Sequence, residues 1–81
     1  MKVEIGRTGN NGGKTMQIGV DGWAKASAIV RAYIEQFDLG AGCGSQLEAF
    51  TGGNVFENGK QIGRISYNGR AWDLNNQPIA A

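Results

Sequence analysis

An α+β fold, with one antiparallel sheet and a single long helix packed across one face, follows from three features of this 81-residue chain. Aromatic and aliphatic residues recur at helical spacing between residues 22 and 39. Two Asn-Gly dipeptides, Asn58-Gly59 and Asn68-Gly69, divide the C-terminal third into a three-strand meander. Two short alternating segments flank a stretch rich in Gly and Asn near the N-terminus. The expected order is β-β-α-β-β-β, in one compact domain spanning residues 1–81.

The first strand is carried by Val3 and Ile5, which share one face, and the second by Met16, Ile18 and Val20. Between them lies TGNNGGKT, residues 8–15. Its Gly13-Lys14-Thr15 matches the end of a phosphate-binding loop, but Thr8 stands in place of the first glycine. A phosphate loop also needs a helix N-terminus behind it. Here a strand follows, so the stretch reads as a hairpin tip.

Asp21 is expected to cap the helix, and Trp23, Ala26, Val30, Tyr33, Ile34 and Phe37 to form its buried stripe, widened by Ile29. Arg31 and Glu35, four apart, are placed to pair, and Gly40 is a natural stop. In residues 40–54 glycines surround SQLEAF. Ser45 and Glu48 fit a capping box for a short helical turn in which Leu47 and Phe50 plug the core; a short strand is the alternative. Cys43 reads as a buried or incidental thiol.

If both Asn-Gly pairs form two-residue turns, Ile65 faces Trp72 and Gly63 faces Leu74 on the helix side, together with Phe56. Gly63 then leaves room for Trp72 or for a helix residue. Val55, Glu57, Lys60, Ile62, Arg64, Ser66, Ala71 and Asp73 fall on the outer side, with Arg64 paired to Asp73 and Glu57 to Lys60. The last residues, NNQPIAA, read as frayed.

Composition narrows the chemistry. The chain holds 8 basic and 7 acidic residues, no histidine and one cysteine. Without histidine it lacks the commonest general base and metal ligand, and one cysteine cannot make an internal disulfide. No catalytic residues, metal or cofactor are expected. No apolar run approaches the roughly 20 residues of a membrane span, and MKVEIGRTG lacks a signal-peptide stretch, so a cytoplasmic protein is expected.

The outer sheet face is the candidate binding surface. An apolar centre of Val55 and Ile62, rimmed by Glu57, Lys60, Arg64 and Asp73, has the layout of a protein-binding patch. Lys60, Ile62, Arg64, Asp73 and Arg70 are its expected contacts. A second possibility is weak nucleic-acid binding through Arg7, Lys14, Lys60, Arg64 and Arg70, although a net charge of +1 does not favour it.

The stretch GKQIGRISYNGRAWDL, residues 59–74, resembles small histidine-free proteins of phages and other mobile elements. In size and layout the chain is similar to some anti-CRISPR proteins. The resemblance covers residues 52–74 and the order of elements. It implies a stoichiometric inhibitor that binds a bacterial nuclease or RNA-guided surveillance complex and blocks DNA or guide access. The near-neutral charge departs from the strongly acidic members that imitate DNA. No residue role carries over from the resemblance.

Overall fold

A computed structural model describes residues 1–9, 14–40 and 48–80. Strands β1 (Lys2–Arg7) and β2 (Thr15–Gly19) form an antiparallel hairpin, followed by helix α1 (Trp23–Phe37). Strands β3 (Phe50–Glu57), β4 (Lys60–Ile65), β5 (Ala71–Asp73) and β6 (Pro78–Ile79) complete a six-stranded sheet of order β2-β1-β3-β4-β5-β6. All neighbouring strands are antiparallel. The helix lies over the central strands β1, β3 and β4. The α+β class and the helix-on-sheet layering expected from the sequence are therefore present.

The core is the layer between helix and sheet. Val3, Ile5, Val55, Ile65 and Ala71 of the sheet meet Ala26 and Val30 of the helix in one buried cluster. Val3, Val30 and Val55 are fully buried. Each such side chain stabilises the fold by about 1.5–3 kcal/mol on leaving water. Trp23, Ile29, Tyr33 and Ile34 pack against the cluster at its margin. Phe37, at the end of the expected stripe, is 37% exposed and packs edge-on to Tyr33 at 5.0 Å between ring centroids.

The helix ends differ from expectation. Gly22, not Asp21, is the N-cap, and no side chain caps the first turn. At the other end Asp38, not Gly40, takes the left-handed conformation, with φ 51°. Its N–H and that of Leu39 donate to the carbonyls of Glu35 and Ile34. Gly40 instead bridges to Ala49. Phe50 opens β3 rather than ending a helical turn, and packs at the core margin. Cys43, Leu47 and the Ser45 end of the proposed capping box lie outside the described residues, as does the Asn10-Asn11 tip.

Two one-residue shifts correct the expected faces of the meander. Asn58-Gly59 does form a two-residue turn, with Glu57 opposite Lys60. One position further, β4 carries an extra residue, Ile62, between the pairs Phe56↔Gln61 and Val55↔Gly63. This bulge turns Val55 into the core and Phe56 away from it. Ile62 packs against the core cluster instead of standing on the outer face. At the second turn Ser66 donates to the Arg70 carbonyl, giving a three-residue loop, and Ile65 faces Ala71, not Trp72. Ala71 is consequently buried and Trp72 stands on the helix-free side beside Arg64. Asp73 shares its register with Gly63 on the helix side, and Leu74 is 64% exposed.

Gly63 does leave a notch on the helix side. A Cβ there would run into the Trp72 carbonyl of β5 and would lie 2.8 Å from Trp23 Cη2, so the neighbouring strand's backbone and the indole of the first helical residue together occupy that space. The tail is not frayed where it pairs: Pro78 and Ile79 form β6 against β5. Asp73 Oδ1 accepts the N–H groups of Asn75 and Gln77, which holds the connecting turn.

Candidate functional site

The helix covers one sheet face. On the other, the strand register aligns Gln17, Glu4, Asn54, Arg64, Trp72 and Pro78 into a row that crosses all six strands. Glu4 and Asn54 are joined across the bulge in β3 by a hydrogen bond from Asn54 Nδ2 to Glu4 Oε1 of 2.8 Å. Thr15 Oγ1 donates to the other Glu4 oxygen at 3.2 Å, and Gln61 Nε2 donates to Asn54 Oδ1 at 3.1 Å. These contacts hold each polar group by a neighbour from a different strand.

Arg64 and Trp72 are direct partners across β4 and β5. The guanidinium lies 5.4 Å from the Trp72 ring centroid, within cation–π range. Arg64 Nη2 donates to Asn76 Oδ1 at 3.3 Å, and Trp72 Nε1 donates to Ser66 Oγ at 3.1 Å. Both side chains are half-buried. Their rotamers are thus set before any partner arrives. The row offers a guanidinium, an indole face, a carboxylate and side-chain amides, a set suited to recognition by hydrogen bonding and stacking.

Of the residues expected to bind a partner, only Arg64 lies in this row. Its ion pair with Asp73 does not form, because Arg64 faces Trp72 and the Asp73 carboxylate serves the β5–β6 turn. Lys60 is exposed beside the first meander turn and Arg70 is exposed at the end of the second. Ile62 and Asp73 sit toward the helix side, for the register reasons above. Sequence inspection placed Ser66 on this face but missed Trp72, Glu4 and Asn54 as members of it. Nothing within Ala71–Asp73 signals this: the outward placement of Trp72 follows from the three-residue second loop, which pairs Ile65 with Ala71.

The five cations of the alternative nucleic-acid set do not converge. Arg7 is enclosed on the helix side, with its guanidinium 3.9 Å from the Phe37 ring centroid. It also ion-pairs with Glu48 at 2.9 Å and donates to the Tyr33 hydroxyl at 3.3 Å. Lys14 flanks the β1–β2 hairpin, while Arg64 lies in the outer row.

Among the described residues no group of three His, Cys, Asp or Glu side chains is placed to share a metal ion. No described helix is long and apolar enough to cross a membrane. Comparison with protein-family models, with curated proteins and with solved structures finds no match to this chain.

Proposed function

We propose that this protein is a non-enzymatic protein-binding module that docks through the helix-free sheet face, with Arg64 and Trp72 as its central contacts. The observation that carries this reading is the Arg64–Trp72 stack, fixed by hydrogen bonds to Asn76 and Ser66. Arg and Trp are among the residues most enriched at the energetic centres of protein interfaces. A side chain already held in place loses less entropy on binding. Arg70, exposed at the end of the second loop, would supply charge at the rim, while Lys60, opposite Glu57, alternates to the helix side. The resemblance to anti-CRISPR proteins makes a bacterial nuclease or surveillance complex the leading partner, bound one-to-one as an inhibitor.

Nucleic acid is the second reading, supported by the same pairing of a cation with an indole on an open sheet. Salt separates the two. A phosphate-driven complex weakens steeply as salt rises, and a protein interface weakens less.

The test is affinity capture from nuclease-treated bacterial lysate, followed by titration of the purified partner. Trp72→Ala and Arg64→Glu should each weaken binding by about 30-fold or more, in line with losses of about 2 kcal/mol at interface centres. Both variants should remain folded by circular dichroism. Wild-type affinity in both folded variants would exclude this face.

A further inference from the structure

The two edges of the sheet are built differently. β6 has two residues, one of them Pro78, and is a blunted edge. β2 has five residues, TMQIG, with no charge and no proline, and it pairs with β1 without a register shift. It therefore lacks the usual protections of an exposed edge.

The hydrogen-bond parity shows which groups of β2 face outward. Val20 N–H donates to the Met1 carbonyl at 2.8 Å, so Met1 and Val20 form a hydrogen-bonded pair. Antiparallel ladders alternate such pairs with non-bonded ones. Val3↔Ile18 and Ile5↔Met16 are then bonded pairs, and Lys2↔Gly19, Glu4↔Gln17 and Gly6↔Thr15 are not. The bond from Thr8 N–H to the Ala49 carbonyl gives β1 the matching parity toward β3. The N–H and C=O groups of Thr15, Gln17 and Gly19 accordingly point away from the sheet.

We infer that β2 is a homodimer edge, pairing antiparallel with β2 of a second copy about a two-fold axis at Gln17. That register matches every outward group: Gln17 to Gln17, and Thr15 to Gly19 in both directions. It also sets Met16 opposite Ile18 of the second copy on the helix side of the sheet, where Met16 is otherwise 60% exposed. The charges agree with this occupant. Exposed Lys14 precedes the strand and exposed Asp21 follows it. Antiparallel self-pairing brings Lys14 beside Val20 and Asp21 of the second copy at both ends, so each end juxtaposes opposite charges. A two-fold interface must be self-complementary in this way. Gln17, the β2 end of the outer row, lies at the dimer axis, while Arg64 and Trp72 on β4 and β5 are three and four strands away and stay free, so the inference does not rest on the function proposed above.

Sedimentation velocity from the low micromolar range to about 1 mM, the weak end of specific association, tests the dimer. Wild type should pass from monomer to dimer across that range. Gln17→Pro removes an outward N–H at the symmetry centre and leaves the β1–β2 ladder bonds in place. It should stay monomeric at all concentrations with an unchanged circular dichroism spectrum. Lys14→Glu should weaken association on the order of tenfold by replacing two exposed attractions with repulsions. Adding Asp21→Lys should restore it, and this charge exchange decides the matter if Gln17→Pro does not fold. A wild-type monomer at about 1 mM, an assembly larger than a dimer, or a dimer indifferent to charge reversal would overturn the inference.

Discussion

The same dipeptide closes both hairpins of the meander, yet Asn58-Gly59 and Asn68-Gly69 make different turns. In the first, both residues take positive φ, 52° and 79°, and two residues close the loop. This is the type I′ geometry. In the second, only Gly69 does, with φ 88°. Gly69 N–H donates to the Ser66 carbonyl and Ser66 N–H to that of Arg70, both at 2.8 Å. That is a type I turn closed by a left-handed glycine, one residue longer. The surroundings account for the difference. Nothing lies within 4 Å of where a Gly59 side chain would start. The second loop is docked on the helix: Ser27 Oγ donates to the Gly69 carbonyl, Tyr67 Oη to that of Leu39, and Arg31 covers Gly69. Asn68 spends its side chain on the turn, accepting from Ser66 Oγ and Arg70 N–H. A local propensity decides the isolated turn, and tertiary and side-chain contacts decide the docked one.

The most severe way to break this comparison is through the register that the longer loop imposes. Ala71→Glu should place a charge in the core and cost roughly 3–5 kcal/mol, enough to unfold much of a domain this small. Trp72→Ala should cost about 1–2 kcal/mol, below the usual price of truncating a buried tryptophan. Chemical denaturation of the pair measures the order; a two-residue second turn would reverse it.

Alanine at the two turn glycines sharpens the contrast at a smaller scale. Gly59→Ala meets only the left-handed backbone penalty, about 1–2 kcal/mol. Gly69→Ala meets that penalty and must also displace the Arg31 side chain, whose Cγ lies 2.8 Å from the new Cβ position. It should lower the thermal midpoint further, and Arg31→Ala in the same chain should recover part of the difference.

The smallest effect separates the asparagines by mechanism. Asn68→Ala removes two side-chain hydrogen bonds and should cost about 1 kcal/mol. Asn68→Asp keeps both acceptor roles and should be close to neutral. Asn58→Gly should be neutral or better, since its native φ is one that glycine adopts freely. Equal responses of the two sites to Gly and Asp would show that the turns do not differ in the way described.

Much of the architecture was legible because it rests on strong periodicities. The spacing of Trp23, Ala26, Val30, Tyr33 and Ile34 marks the helix and its buried side, and both hairpin positions are marked by Asn-Gly. The candidate face was not legible. Its membership depends on single-residue events, the Ile62 bulge and the length of the second loop, and a one-residue slip exchanges every side chain between faces. Sequence periodicity of two survives such a slip within each strand, so nothing in Lys60–Ile65 or Ala71–Asp73 taken alone reveals it. Strand β6 escaped for a related reason: two residues carry no period.

The seating of Trp23 over Gly63 has a consequence for the order of folding. The helix begins at Trp23 with no side-chain cap and no acidic residue in its first turn. A helix of 15 residues is marginal on its own, because nucleation is unfavourable. Its starting point is therefore supplied from outside, by a gap in a strand some 40 positions later in the chain. The gap acts as a detent: the indole drops into it only when the helix has one axial position and one rotation about its own axis. Until β4 is in the sheet there is no such stop, and the helical segment has several nearly equivalent ways to begin. If the helix waits for that stop, Trp23→Ala should slow refolding as well as lower stability, whereas a helix formed early would show the effect in unfolding alone; stopped-flow kinetics separates the two.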